Sequence, residues 1–72
     1  MCLSIPAKIT HIQGDTATVE VGGNHYSAGL QMLDGVQPGD YVLLHAGFAI
    51  QKISEQEARE TLDLLREMGE LP

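Results

Sequence analysis

From Ile5 to Ile12 the chain alternates between two sides, with Ile5, Ala7, Ile9 and His11 on one and Pro6, Lys8, Thr10 and Ile12 on the other. Period two in a stretch rich in Ile and Thr reads as a β-strand. Pro6 cannot donate to a ladder, so it suits an edge or the opening of a strand. Gln13-Gly14-Asp15 is a turn, and Thr16 to Val21 resumes the alternation with Ala17, Val19 and Val21 inward and Thr16, Thr18 and Glu20 outward. These two strands should pair as a hairpin. Gly22-Gly23-Asn24 tolerates positive φ and predicts a second tight turn. His25 to Leu30 follows as a weaker strand with Tyr26, Ala28 and Leu30 on one face.

Gln31 to Asp40 carries the turn signals Asp34-Gly35 and Pro38-Gly39 and reads as a loop, packed down by Leu30, Met32, Leu33 and Val36. Tyr41-Val42-Leu43-Leu44-His45-Ala46 is the most apolar run and predicts a central strand buried on both faces. Gly47 allows a bend or bulge, after which Phe48 to Ile53 continues as a strand. At Ser54 the period changes. Ser54-Glu55-Gln56-Glu57 spells a capping box, and Ala58, Thr61, Leu62, Leu65 and Met68 then share one helical face. Glu55–Arg59 and Arg59–Asp63 are spaced for ion pairs on the outer face, and Gly69 is placed to end the helix. Short strands separated by turns predict a small OB-like β-barrel, mainly β, that closes and so removes its edges. The expected organisation is one domain over residues 1–72, with the barrel over about 1–53 and a C-terminal α-helix over about 54–68, covering an opening or side of the barrel.

Composition narrows the partners. The formal net charge is -6 and the pI about 4.7, so nucleic acid and anionic membranes would be repelled. An OB-type nucleic-acid binder needs a basic groove with stacking aromatics, and aromatic residues make up only 4% of this chain. One cysteine cannot staple a small domain, so stability must come from packing or association. A lone thiol fits a reducing cytoplasm. Lys8 interrupts what a secretory leader would need as an apolar run, and no stretch reaches membrane-spanning length.

The chemistry gathers at two residues. Cys2 directly follows the initiator methionine, whose removal is expected because cysteine is small. The thiol would then share a residue with a free ammonium, which favours the thiolate that binds metals and attacks electrophiles. The segment 1–4 is expected to be exposed and mobile. His45, in an apolar strand, is either a buried histidine bonded to backbone or a group reaching a surface groove near Cys2. His11 and His25 lie by turns and read as surface residues. The sequence has no GxGxxG, P-loop, serine elbow or second cysteine. A small thiol enzyme with Cys2 as nucleophile would need a base and a substrate pocket, for which a barrel this small has little room.

Three stretches carry a resemblance: Met1-Cys2-Leu3-Ser4-Ile5-Pro6-Ala7-Lys8-Ile9 at the start, Gly39-Asp40-Tyr41-Val42-Leu43-Leu44-His45-Ala46-Gly47-Phe48-Ala49-Ile50 in the middle, and Ile53 to Leu62 near the end. Together they resemble the HypC/HybG/HupF family of NiFe-hydrogenase maturation chaperones over nearly the whole chain. The resemblance implies an OB-like barrel with a C-terminal helix, and a non-enzymatic role. It implies binding to the HypD scaffold, on which an iron carrying cyanide and carbon monoxide is assembled, and to the precursor of the hydrogenase large subunit. Cys2 would serve as the thiol for partner contact and as an iron ligand. His45 would be a second ligand or an orienting group, with Leu3, Ile5, Pro6, Gly47 and Phe48 as supporting motif residues. The iron, as Fe(CN)2CO, would be transient and shared with a partner, and none is expected in the isolated protein. Thiolate donation suits a soft low-spin iron, and one Cys with one His leaves the coordination sphere open for transfer. The chain departs from the family pattern at Ala7, often glycine, and at Asn24-His25-Tyr26, where a basic residue is common. It also lacks the longer tail that some members carry after the helix.

Overall fold

A computed structural model of the chain describes residues 5–69. Among the described residues five strands and one helix follow in order: β1 (Ile5–Gln13), β2 (Thr16–Val21), β3 (Asn24–Gly29), β4 (Tyr41–His45), β5 (Phe48–Ile53) and α1 (Glu55–Glu67). The strands form a closed barrel in the order β1-β2-β3-β5-β4, the small barrel the alternation predicts. All neighbours are antiparallel except β3 and β5, which meet in parallel through the single pair Gly29↔Phe48. The core fills the barrel, with Ile9, Val19, Val42 and Ala49 fully buried and Ala7, Ala17 and Ala28 nearly so. Alanines on four strands let the walls of so small a barrel approach without leaving voids.

Two irregularities bend the strands enough to close it. The β1–β2 register runs Ile9↔Val19 and then His11↔Thr18, so Thr10 is an extra residue. Its hydroxyl donates to the Thr18 carbonyl at 3.2 Å. A bulge shifts the period by one. His11, expected inward, is therefore exposed, while Ile12, expected outward, packs against the core. Across β4 and β5 the register steps from Leu43↔Gln51 to Leu44↔Ala49, leaving Ile50 as the extra residue. Pro6 is fully buried and lies where β1 pairs only with β4, since pairing with β2 begins at Lys8. The missing proline donor is accommodated there without breaking a ladder on both sides.

Three expectations need correction. β4 is not buried on both faces: Val42 is, but Tyr41, Leu43, Leu44 and His45 are half-buried. One face of β4 lines the barrel, while the other has only α1 beside it, which packs on the flank of β1 and β4. Gly47 does not sit in a bend between collinear strands. Ala46 and Gly47 form a two-residue hairpin turn that reverses the chain. Met32 and Met68 do not join the packing and are 65% and 59% exposed, whereas Leu33 and Val36 do pack against the core.

The helix follows its local code closely. The Glu57 amide donates to Ser54 Oγ at 3.1 Å, and the Ser54 amide donates to Glu57 Oε1 at 3.4 Å, completing the capping box. Ala58 and Leu65 are buried, and Leu62 packs against the barrel core. Arg59 pairs with Glu55 at 3.0 Å. Asp63 pairs with Arg66 at 3.6 Å, in place of the expected Arg59 partner. Gly69, with φ +76°, ends the helix and donates to the Arg66 carbonyl at 3.1 Å. No helix among the described residues is long and apolar enough to cross a membrane.

Candidate functional site

The site is built where β1 begins and β4 ends. The ladder between them starts at Ile5↔Leu44 and continues through Pro6↔Leu43 to Lys8↔Tyr41. His45 is the next residue of β4, half-buried, and pairs with Phe48 across the hairpin. Cys2 and Leu3, and the expectation that segment 1–4 is mobile, fall outside the described residues. The structure therefore locates His45, Ile5, Pro6, Gly47 and Phe48 but not the thiol. Among the described residues no group of three or more His, Cys, Asp or Glu side chains could hold a metal ion.

The turn beside His45 is strained. Ala46 has φ +53° and Gly47 φ +84°, the two left-handed residues of a type I′ turn. The left-handed region costs a residue with a Cβ about 1–2 kcal/mol. Surrounding structure holds Ala46 there. The Gly29 amide donates to the Gly47 carbonyl at 2.9 Å, and the Phe48 ring lies against Gly29. A Cβ on Gly29 would stand 2.8 Å from Phe48 Cδ1 and would also meet Gln31 Oε1. Absence of a side chain at Gly29 thus lets β3 and β5 approach and close the barrel.

Next to this turn opens an apolar groove of about 350 Å³, lined by Ile5, Val21, Tyr26, Ser27, Leu44 and Gly47. It gathers residues from all five strands or their connections. Tyr26 opposes the fully buried Val19 and so points to the barrel side of β3, yet it is 51% exposed because it stands at this open end. Sequence reasoning found His45, Gly47 and Phe48 by motif. It missed the groove, which no local pattern encodes, and the left-handed Ala46. The signal for the latter was present: two residues ending in Gly, between two short apolar runs, spell a hairpin.

Asp40 marks the other end of β4. Its carboxylate accepts from the Gln37 amide at 2.9 Å and lies 3.3 Å from Lys52 Nζ. The amide bond first, and the lysine after it, lower its pKa below the usual aspartate range. Its carbonyl accepts from the Ile9 amide at 2.8 Å, so Asp40 ties the loop to β1 and β5. Of the remaining histidines, His11 is exposed, and His25 Nε2 lies 3.8 Å from Glu20 Oε2 in an exposed pair, a contact worth little.

The model of the HupF/HypC family matches residues 1–65. A relative from Azotobacter chroococcum named "Hydrogenase maturation factor HypC" is 46% identical over 72 residues, covering 99% of this chain and 86% of its own. Similar proteins of the same name come from Cupriavidus necator, 39% identical over 94% of this chain and 77% of its own, and from Escherichia coli K12, 40% identical over 94% and 82%.

Proposed function

This chain belongs to the HupF/HypC family, and from that premise we propose that it is a hydrogenase maturation factor, a cytoplasmic assembly chaperone rather than an enzyme. It binds the HypD scaffold, takes part in transferring the Fe(CN)2CO unit, and binds the precursor of the NiFe-hydrogenase large subunit that receives it. The observation that carries this reading is the match to proteins named as hydrogenase maturation factors along nearly the entire chain.

The chain's own contribution centres on Cys2. Its thiolate is a soft donor suited to low-spin iron, and at most one further ligand, His45, comes from this chain. The iron is cargo: a site that supplies so few ligands releases it when a partner offers more. The β1–β4 register supports bringing the two residues together. Ile5, the first described residue and three positions after Cys2 in sequence, pairs with Leu44, and His45 is the next residue of β4. His45 then acts as a second ligand or as a hydrogen-bond partner that orients the thiolate. The chain as a whole is acidic, with a formal net charge of -6, which suits protein partners and not nucleic acid.

The test is co-purification with HypD followed by infrared spectroscopy. A stable complex with cyanide and carbonyl stretching bands is expected. No complex, or a complex without those bands when HypD alone carries them, would contradict the reading.

A further inference from the structure

We propose that the outer edge of β3 is a docking strand. It takes an extended segment of a protein partner by antiparallel strand addition, with one apolar side chain of that segment seated in the hollow beside Tyr26 and basic residues toward its ends.

The edge follows from the ladder. β3 pairs with β2 from Val21↔Asn24 to Thr16↔Gly29 without a register shift. In such a ladder the N–H and C=O of successive residues point alternately to one side and the other. The Gly29 amide points away from β2, since it donates to the Gly47 carbonyl at 2.9 Å. Alternation therefore turns the N–H and C=O of Ser27 and of His25 to that same outer side. Gly29↔Phe48 is the single pair between β3 and β5, and Phe48 is the first residue of β5, so the parallel neighbour starts where β3 ends. Among the described residues no ladder or backbone hydrogen bond reaches Ser27 or His25 from the outer side. Asn24–Gly29 contains no proline, lysine or bulge, the devices that usually block an open edge.

A row of unpaired peptide groups matches an extended backbone, and side-chain pockets beside the edge then set which segment fits. Tyr26, between the two free residues, opposes the buried Val19 and so faces the barrel side. A residue of the added strand level with Tyr26 faces the same way, over the hollow of about 350 Å³ that Tyr26 shares with Ile5, Val21 and Leu44. No charged residue lines that hollow, so an apolar side chain is favoured there. Charge selects the flanks. Glu20 is the one carboxylate of β2 and β3, and neither strand carries Lys or Arg. With a formal net charge of -6 on the chain, a segment with basic ends is attracted. A second copy is the poorer fit: it brings the same net charge, and pairing His25 and Ser27 alone falls well short of the roughly 1,000 Å² of a stable interface.

The test uses the full chain and a peptide of about seven residues, with leucine at its centre, a threonine on each side and lysines toward both ends. Amide exchange and proton–proton contacts are read by NMR. Bound peptide should slow exchange of the His25 and Ser27 amides, and its leucine methyls should contact the Tyr26 ring and the Leu44 methyls. With leucine level with Tyr26, the threonine nitrogens face β3. Methylating them should abolish binding, whereas methylating the leucine nitrogen should leave it intact, and neither change touches the protein. Tyr26→Ala should weaken binding by about tenfold. Four results would each overturn the proposal. His25 and Ser27 amides protected in the free protein at every concentration would mean that the chain covers its own edge. Protection that grows with protein concentration would assign the edge to a second copy. Binding indifferent to which nitrogens are methylated would remove the strand pairing, and no response at β3 would remove the site. The proposal needs neither the thiol nor iron, so the functional reading above stands or falls separately.

Discussion

The barrel contains two hairpin turns of the same type built from different residues. Gly22 and Gly23 join β2 to β3 with φ +58° and +85°, while Ala46 and Gly47 join β4 to β5 with φ +53° and +84°. The geometry is nearly identical, and the local energetics differ. At Gly22–Gly23 the residues adopt left-handed backbone without steric cost, so the turn is what its own sequence favours. At Ala46 a Cβ occupies a region it disfavours by about 1–2 kcal/mol. That turn is imposed by contacts distant in sequence: the Gly29 amide on the Gly47 carbonyl and the Phe48 ring against Gly29. The first turn carries strand pairing alone. The second stands beside His45 and the groove, where the chain's proposed chemistry gathers. Backbone strain is held where surrounding structure over-determines it, and such places tend to be sites.

The comparison can be broken most forcefully at its supports. Gly29→Ala places a methyl against Phe48 and Gln31 and should destabilise the protein by about 1–3 kcal/mol, the usual cost of overpacking. Chemical denaturation would measure it, and an unchanged midpoint would mean that β3 and β5 do not depend on their close approach. Gly22→Ala gives the first turn the composition of the second without comparable outside support; left-handed strain of about 1–2 kcal/mol, less the lower unfolded-state entropy of alanine, about 0.4–1 kcal/mol, leaves an expected net cost of roughly 0.5–1 kcal/mol. Ala46→Gly makes the opposite exchange. Relief of left-handed strain is offset by the larger unfolded-state entropy of glycine, about 0.4–1 kcal/mol, so a net stabilisation of roughly 0.5–1 kcal/mol is expected. A destabilised Ala46→Gly would show that the alanine methyl contributes packing that outweighs its backbone strain.

The smallest effect lies at the other end of β4, where no strained turn is involved. The folded state lowers the Asp40 pKa through the Gln37 amide and Lys52. A depressed carboxylate stabilises the fold above its unfolded pKa, and that contribution fades as pH falls through the folded value. Wild type should therefore exceed Asp40→Asn in stability at neutral pH, and the gap should narrow below about pH 4. Thermal melts across that range would read it, and a gap that is constant with pH would remove the charge from the explanation.

What the sequence made legible was what neighbouring residues decide together. Alternation placed Ala17, Val19 and Val21 in the core, and the Ser54–Glu57 box marked where the period changes and the helix is capped. Thr10 was not legible as a bulge, because Ile9-Thr10-His11-Ile12 alternates equally well in either register. The opposing strand chooses, and it turns Ile12 inward and His11 out. Closure through Gly29 and Phe48 joins residues far apart in sequence, and no local period announces it. The site divided in the same way. His45 stood out as an uncommon residue in an apolar run, whereas the groove exists only once five strands have met.

In the proposed function the barrel is a carrier and Cys2 the group that works. The most direct measurement replaces wild type with Cys2→Ala in cells lacking any paralogue, and reads hydrogenase maturation alongside the thermal stability of the purified variant. Cys2 precedes the described core, so the barrel should stay folded with a change well under about 1 kcal/mol, while maturation is lost. His45→Ala, from a half-buried strand position, should lose some stability together with function. Normal maturation by Cys2→Ala would contradict the account, and unfolding of that variant would make the cysteine a packing residue instead.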